Sequence, residues 1–223
     1  MEKWIRRWYE FAVYIAGVFA VILALGNWNF EQRILLIGLV LIHLHFFEEF
    51  GLPGGFAWGA LKVEKGKVDP DVSEWPLNHS SALWGNEWFA ISVYLLPLFV
   101  PQWHWAVLAA VVFAYAEFLI HVVVFPIGLK KFYNPGLFTA LFGLTTVSTW
   151  YLYKVLPTGK FSWVDLIIAI VWIVFNYWMA FLSPIFVKFN DKKKYTFSKA
   201  DVEKSKPYMD KFNASIDDLK NLH

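Results

Sequence analysis

Six times along its 223 residues this chain carries a stretch of roughly 18 or more predominantly apolar residues, the length an α-helix needs to cross a hydrocarbon core about 30 Å thick. A bilayer offers the main chain no hydrogen-bond partners, so spanning segments of this kind must be helices that satisfy their own N–H and C=O groups. The runs fall near residues 9–27, 33–50, 80–100, 103–126, 136–156 and 162–187. With 58% hydrophobic and only 17% charged residues, the chain has too few charges to cover an ordinary soluble domain. The expected fold class is all-α: a polytopic membrane protein with a bundle of about six transmembrane helices in one domain over 1–188. A loop at 51–79 and a charged tail at 189–223 complete the chain.

Tryptophans near the ends of the runs, Trp4, Trp8, Trp28, Trp75, Trp103, Trp150 and Trp163, read as interfacial belt residues. Lys3, Arg6 and Arg7 before the first run resemble the start of a signal peptide. The run from Phe11 to Gly26 is longer than a usual signal core, however, and is read as a retained helix. Lysines and arginines gather before segment one, after segments two and four, and in the tail. By the positive-inside rule this predicts cytoplasmic N- and C-termini in a cytoplasmic membrane. The tail, with "DKKKY" among alternating acids and lysines, is expected to be a solvated, partly helical extension, and "FAWGALKV" in the second loop an interfacial segment. The absence of cysteine excludes disulfides, thiolate ligands and a cysteine nucleophile.

The topology places the polar residues by depth. At about 1.5 Å of rise per residue, His45 lies ~12 Å and Glu49 ~6 Å from the cytoplasmic boundary, Glu87 ~10 Å, Glu117 ~9 Å, His121 ~3 Å and Asn176 ~9 Å. His45, Glu48 and Glu49 fall within an arc of roughly 100° on segment two, while His43 points elsewhere. Glu117 and His121 are likewise i and i+4. Between Arg33 and Lys130 the only lysines or arginines are the three of the second loop, so no membrane-embedded cation of the chain neutralises these acids. A buried carboxylate in hydrocarbon costs at least roughly 2.5–3.5 kcal/mol, so the four must be protonated, hydrated, bonded to protonated His, or bound to cations.

His and Glu at helical i,i+4 spacing aim two ligands at one ion. This predicts a divalent metal (Zn, Fe or Mn, one or two ions) held by His45, Glu49, Glu87, Glu117 and His121, with Glu48 as general base. Asn86 is expected to orient a ligand or bind substrate, and Tyr133, Asn134 and Asn176 to support the layer. Asn78 and His79 read as helix-capping or interfacial residues. "YNPG", Tyr133 to Gly136, reads equally as a turn that starts segment five and as part of the site.

These residues resemble a known family. "HFFEE", His45 to Glu49, is similar to the motif of the HXXEE-domain family of prokaryotic integral membrane proteins, and Asn86-Glu87, His121 and "YNPG" resemble its further motifs. The resemblance runs from about residue 34 to segment six. It implies the site and the topology, and no particular reaction.

The expected function is a membrane-embedded metal-dependent enzyme acting on a lipid or other apolar substrate, with hydrolysis placed ahead of di-iron oxidation. The alternatives are a proton- or cation-coupled transporter using Glu48, Glu49, Glu87 and Glu117, and a noncatalytic scaffold in which the polar layer ties helices together. Membrane lipids are the expected partners. No phosphate-cradling glycine loop, nucleophile elbow or nucleic-acid surface is present in the sequence.

Overall fold

All six expected segments are helical in the computed structural model, which describes residues 2–223. They are α1 (Trp8–Leu25), α2 (Phe30–Phe50), α4 (79–98), α5 (His104–Leu129), α6 (137–155) and α7 (Trp163–Phe181); a shorter helix, α3 (Phe56–Lys65), lies in the second loop. After α7 the chain continues through α8 (Pro184–Phe189), α9 (Lys199–Glu203) and α10 (Lys206–Met209). Among the described residues β-pairing is limited to a single bridge between Asp71 and Lys220.

Four stretches, Trp8–Leu25, Phe30–Phe50, His104–Leu129 and Trp163–Phe189, are long and apolar enough to cross a membrane. The two remaining segments are continuous helices of a more polar kind. Helix α4 opens on His79, Ser80 and Ser81 and carries Asn86 and Glu87, and α6 carries Thr139, Thr145, Thr146, Ser148 and Thr149. By length and composition, these four apolar stretches mark a membrane-type helical protein.

The helix ends follow local chemistry. Asn29 accepts from Gln32 N at 2.9 Å and Ser162 from Asp165 N at 3.3 Å, each within a reciprocal capping box. The cap expected of Asn78 also forms, accepting from Ser81 N at 2.9 Å. Three helices widen into π turns, over Ala90–Leu95 in α4, Ile120–Val124 in α5 and Thr139–Thr145 in α6. Two of these lie immediately before Pro97 and Pro126, whose missing N–H removes an i→i−4 bond and favours the wider register.

Helices α2 and α5 form the middle of the core, where Leu35, Leu36, Ile42, Ala109 and Ala114 are almost wholly buried. Outer helices α1 and α7 expose an apolar flank, including Val18, Val21, Ile167 and Val171. Such a surface suits lipid, in which apolar side chains need no cover.

The tail differs from its expectation of a solvated extension. It folds back over the end of the bundle, burying Phe197, Val202, Tyr208 and Met209. Lys204 Nζ donates to Phe50 O at 2.8 Å, occupying the C-terminus of α2, and Ser205 Oγ donates to Gly55 O at 3.1 Å. Charged composition concealed the fold because every few residues an apolar side chain faces inward while the acids and lysines between them stay in solvent. Helix α3 likewise departs from a free interfacial segment: Ala57, Trp58, Ala60 and Leu61 are buried, and Phe56 stacks on Phe125 at 5.1 Å.

Candidate metal centre

Two turns of α2 and two of α5 face each other near the bundle end covered by the tail. The helical i,i+4 offset brings His45 over Glu49 and Glu117 over His121. Glu117 Oε2 lies 3.5 Å from His45 Nε2 and 3.3 Å from His121 Nε2. Glu49 Oε1 approaches the same two nitrogens at 3.6 and 3.4 Å. The ligand atoms of His45, Glu117 and His121 lie within 4.8 Å of one another, the spacing of a group that could hold a metal ion. Both imidazoles are buried, at 2% and 0% side-chain exposure, so water does not neutralise the cluster from outside.

The outer bonds decide which nitrogen of each ring is free. His45 Nδ1 lies 2.8 Å from Thr139 Oγ1, whose single proton goes to Glu48 Oε2 at 2.5 Å. The threonine oxygen therefore accepts from His45 Nδ1–H. Asn134 Nδ2 donates to His121 O at 2.7 Å and to Phe132 O at 3.2 Å, which turns its Oδ1 toward His121 Nδ1 at 2.8 Å. In the neutral state both rings thus carry hydrogen on Nδ1 and present a bare Nε2 to two carboxylates. His121 Nε2 has no hydrogen-bond partner among the described residues. Lone pairs and carboxylate oxygens converge here with no other donor, so the group is closed either by protons on Nε2 or by a metal ion, which this donor set could hold.

Gly136 lets the rings come this close. Its φ of 97° is left-handed, and a Cβ there would lie 2.4 Å from His121 Cε1 and 2.8 Å from His45 Cε1. "YNPG" is therefore a turn and a wall of the site at once.

Glu48 stands apart from the group. It accepts from Phe138 N and Tyr133 Oη at 3.0 Å, from Thr139 N at 2.8 Å and from Thr139 Oγ1, capping the start of α6 from a helix 90 residues away in sequence. Its lone-pair directions are filled, so it lacks the free oxygen that a general base needs. Burial and this neighbouring carboxylate push the Tyr133 phenol above its ordinary range, which keeps it a donor.

The other expected members divide. Asn134 and Tyr133 support the centre through His121 and Glu48. Glu87 pairs instead with His43, Oε2 to Nε2 at 3.5 Å, while His43 Nδ1 lies 2.6 Å from Leu39 O. The residue expected to point away from the layer thus engages the expected ligand. Asn86 donates to Ala82 O of its own helix at 2.9 Å and does not reach the group. Asn176 joins α7 to α4, accepting from Trp88 Nε1 at 2.8 Å and donating to Trp172 O at 2.7 Å. A shared depth says nothing about which way around its helix a side chain points, and this separates Asn86, Glu87 and Asn176 from the centre. Gly136 reaches the site as part of "YNPG", whereas nothing in the sequence around Thr139 marks it as a site residue.

A cavity of about 390 Å³ lined by Phe19, Trp28, Leu36, Leu95 and Phe99 belongs to the other end of α2 and does not touch the His/Glu group.

A helical, membrane-type protein with a buried His₂Glu₂ group is the class that fold and site define. Residues 36–151, which include all four groups of the centre, match the family described as "Protein of unknown function with HXXEE motif", and the chain belongs to that family. Its motif is His45-Phe46-Phe47-Glu48-Glu49. No curated protein and no solved structure matches the chain.

Proposed function

We propose that this protein is a membrane-embedded, metal-dependent hydrolase acting on a lipid or other apolar substrate, with one divalent ion held by His45, Glu117 and His121 and with Glu49 close by. The observation that carries the reading is the pair of imidazoles, each fixed through Nδ1 and each presenting Nε2 to the same two carboxylates. One divalent ion balances the two carboxylate charges, and engagement of Glu48 and Glu87 elsewhere leaves no comparable ligand set for a second. This favours hydrolysis over di-iron oxidation.

A divalent ion held there by His45, Glu117 and His121 would supply Lewis acidity, lowering the pKa of a water molecule and polarising a carbonyl or phosphoryl oxygen. Glu49 lies outside the tightest trio and takes the base role first assigned to Glu48, accepting the proton of the attacking water at Oε1. Thr139 and Asn134 hold the two imidazoles in the tautomer that leaves Nε2 free. In the same proposal α4 and α6 also cross the bilayer, giving six spans, cytoplasmic termini and a site in the cytoplasmic leaflet, as the distribution of lysine and arginine supports.

Elemental analysis of the detergent-purified protein tests this, beside His45→Ala and Glu49→Gln. About one Zn, Fe or Mn per chain is expected in the wild type and at least tenfold less in His45→Ala, since losing a ligand costs no less than the roughly 10- to 100-fold that outer partners of a ligand contribute. Glu49→Gln should hold metal yet lose hydrolysis of lipid esters in vesicles. Wild type with no more metal than His45→Ala, even after incubation with each ion, defeats the proposal. Proton or cation flux in liposomes would then favour transport.

A further inference from the structure

Four lysines drawn from distant parts of the chain meet at the bundle end that carries the His/Glu group. Lys62 Nζ of α3 and Lys130 Nζ after α5 lie over the same Phe212 ring, 4.5 and 5.5 Å from its centroid. Lys131 Nζ lies 4.9 Å from the Tyr208 ring, and Lys211 Nζ donates to Lys130 O at 2.7 Å. Contacts with aromatic faces and carbonyls position an ammonium without neutralising it. Ion pairs of lysine and arginine among the described residues are made by Arg6, Arg7, Lys160, Lys199 and Lys204, and none by these four.

Next to them, the last turn of α5, the following loop and the first turn of α6 expose Ile127, Phe132 and Phe138 at 74%, 68% and 62%. Large apolar side chains beside unneutralised ammonium groups match the boundary between acyl chains and headgroups.

We propose that this face binds the phosphate of an anionic lipid in the surrounding leaflet, with the four lysines around the headgroup and Ile127, Phe132 and Phe138 against its chains. Charge selects the class: a zwitterionic headgroup leaves the four positive charges uncompensated, and an apolar partner offers them nothing. The same loop enters the candidate centre through Tyr133 on Glu48 and Asn134 on His121, so a lipid held here lies alongside it. The inference stands on the lysines and does not require the metal.

Native mass spectrometry of the full chain, exposed to an equimolar mixture of phosphatidylglycerol and phosphatidylcholine, tests it. The wild type should retain phosphatidylglycerol at least roughly tenfold over phosphatidylcholine, from the contribution each surface lysine makes toward anionic lipid. K62Q/K130Q/K131Q/K211Q should bring the ratio close to one, whereas K188Q/K192Q/K193Q/K194Q, which removes equal charge elsewhere, should keep it. Absence of preference in the wild type, or equal loss in both quadruple variants, overturns the proposal. Displacement of the lipid by millimolar inorganic phosphate overturns it in favour of a soluble phosphate ligand. His45→Ala should keep the preference whether or not the chain binds metal, so the two proposals fail separately.

Discussion

Two buried histidine–carboxylate clusters serve opposite ends here. At the tail, His79 Nε2 meets Asp201 Oδ2 at 3.1 Å, and the same carboxylate accepts from Ser198 Oγ at 2.6 Å, Ser198 N at 3.0 Å and Tyr9 Oη at 3.1 Å, with Lys204 Nζ at 3.4 Å. That acid is fully supplied with donors, one of them a permanent cation. In the bundle, Glu49 and Glu117 have only the two imidazoles as partners among the described residues, and no lysine or arginine. The first arrangement is closed and ties the tail to α4. The second has no permanent cation and is closed only by protons on its imidazoles or by a metal ion. Composition cannot separate them, because each contains histidine and carboxylate; the count of donors does.

The sharpest break of this contrast compares His121→Ala with His79→Ala. Metal content should fall at least tenfold in the first and stay at the wild-type level in the second. Equal losses would mean that the clusters do not differ in kind.

A smaller effect is expected from Glu48→Gln. It leaves His45 in place but weakens the acceptor that fixes the Thr139 hydroxyl, so metal affinity should fall roughly 10-fold, within the range for residues that orient a ligand. Metal titration followed by equilibrium dialysis reads it. No change would make Glu48 a helix cap alone, and a loss as complete as that of His121→Ala would make it a direct ligand.

The least effect on the centre is expected at Asp201. Burial raises its pKa, but the bonds from His79 and Ser198 outweigh that and hold the carboxyl well below the usual carboxylate range. A group depressed in the folded state contributes stability that is full above its unfolded pKa, about 3.9, and is lost as pH falls through the lower native value. Asp201→Asn removes that contribution at every pH. Limited proteolysis should therefore cut the variant's tail faster at neutral pH, with metal content unchanged, and the wild type should approach the variant's rate only in strong acid. Equal cleavage at neutral pH would show that the ionised carboxylate does not hold the tail.

Much of this protein was legible along one dimension. Six helices follow from six apolar runs, and the pairs His45/Glu49 and Glu117/His121 follow from 3.6 residues per turn. The lack of lysine and arginine between Arg33 and Lys130, apart from the second loop, already required some answer to the charge of those acids. Neighbouring identical side chains were not separable in this way. Glu48 and Glu49 differ by about 100° around α2, and only the position of α6 sends one to a helix start and the other to the imidazoles.

The tertiary structure alone decided that His43 takes Glu87, that Asn176 joins helices, that Thr139 and Gly136 shape the centre and that the tail returns over Phe50. Chain pattern fixes a residue's height on its helix and its angle around it. Which helix stands opposite that angle depends on packing among segments separated by tens of residues, and the chemistry of the site is set by those encounters.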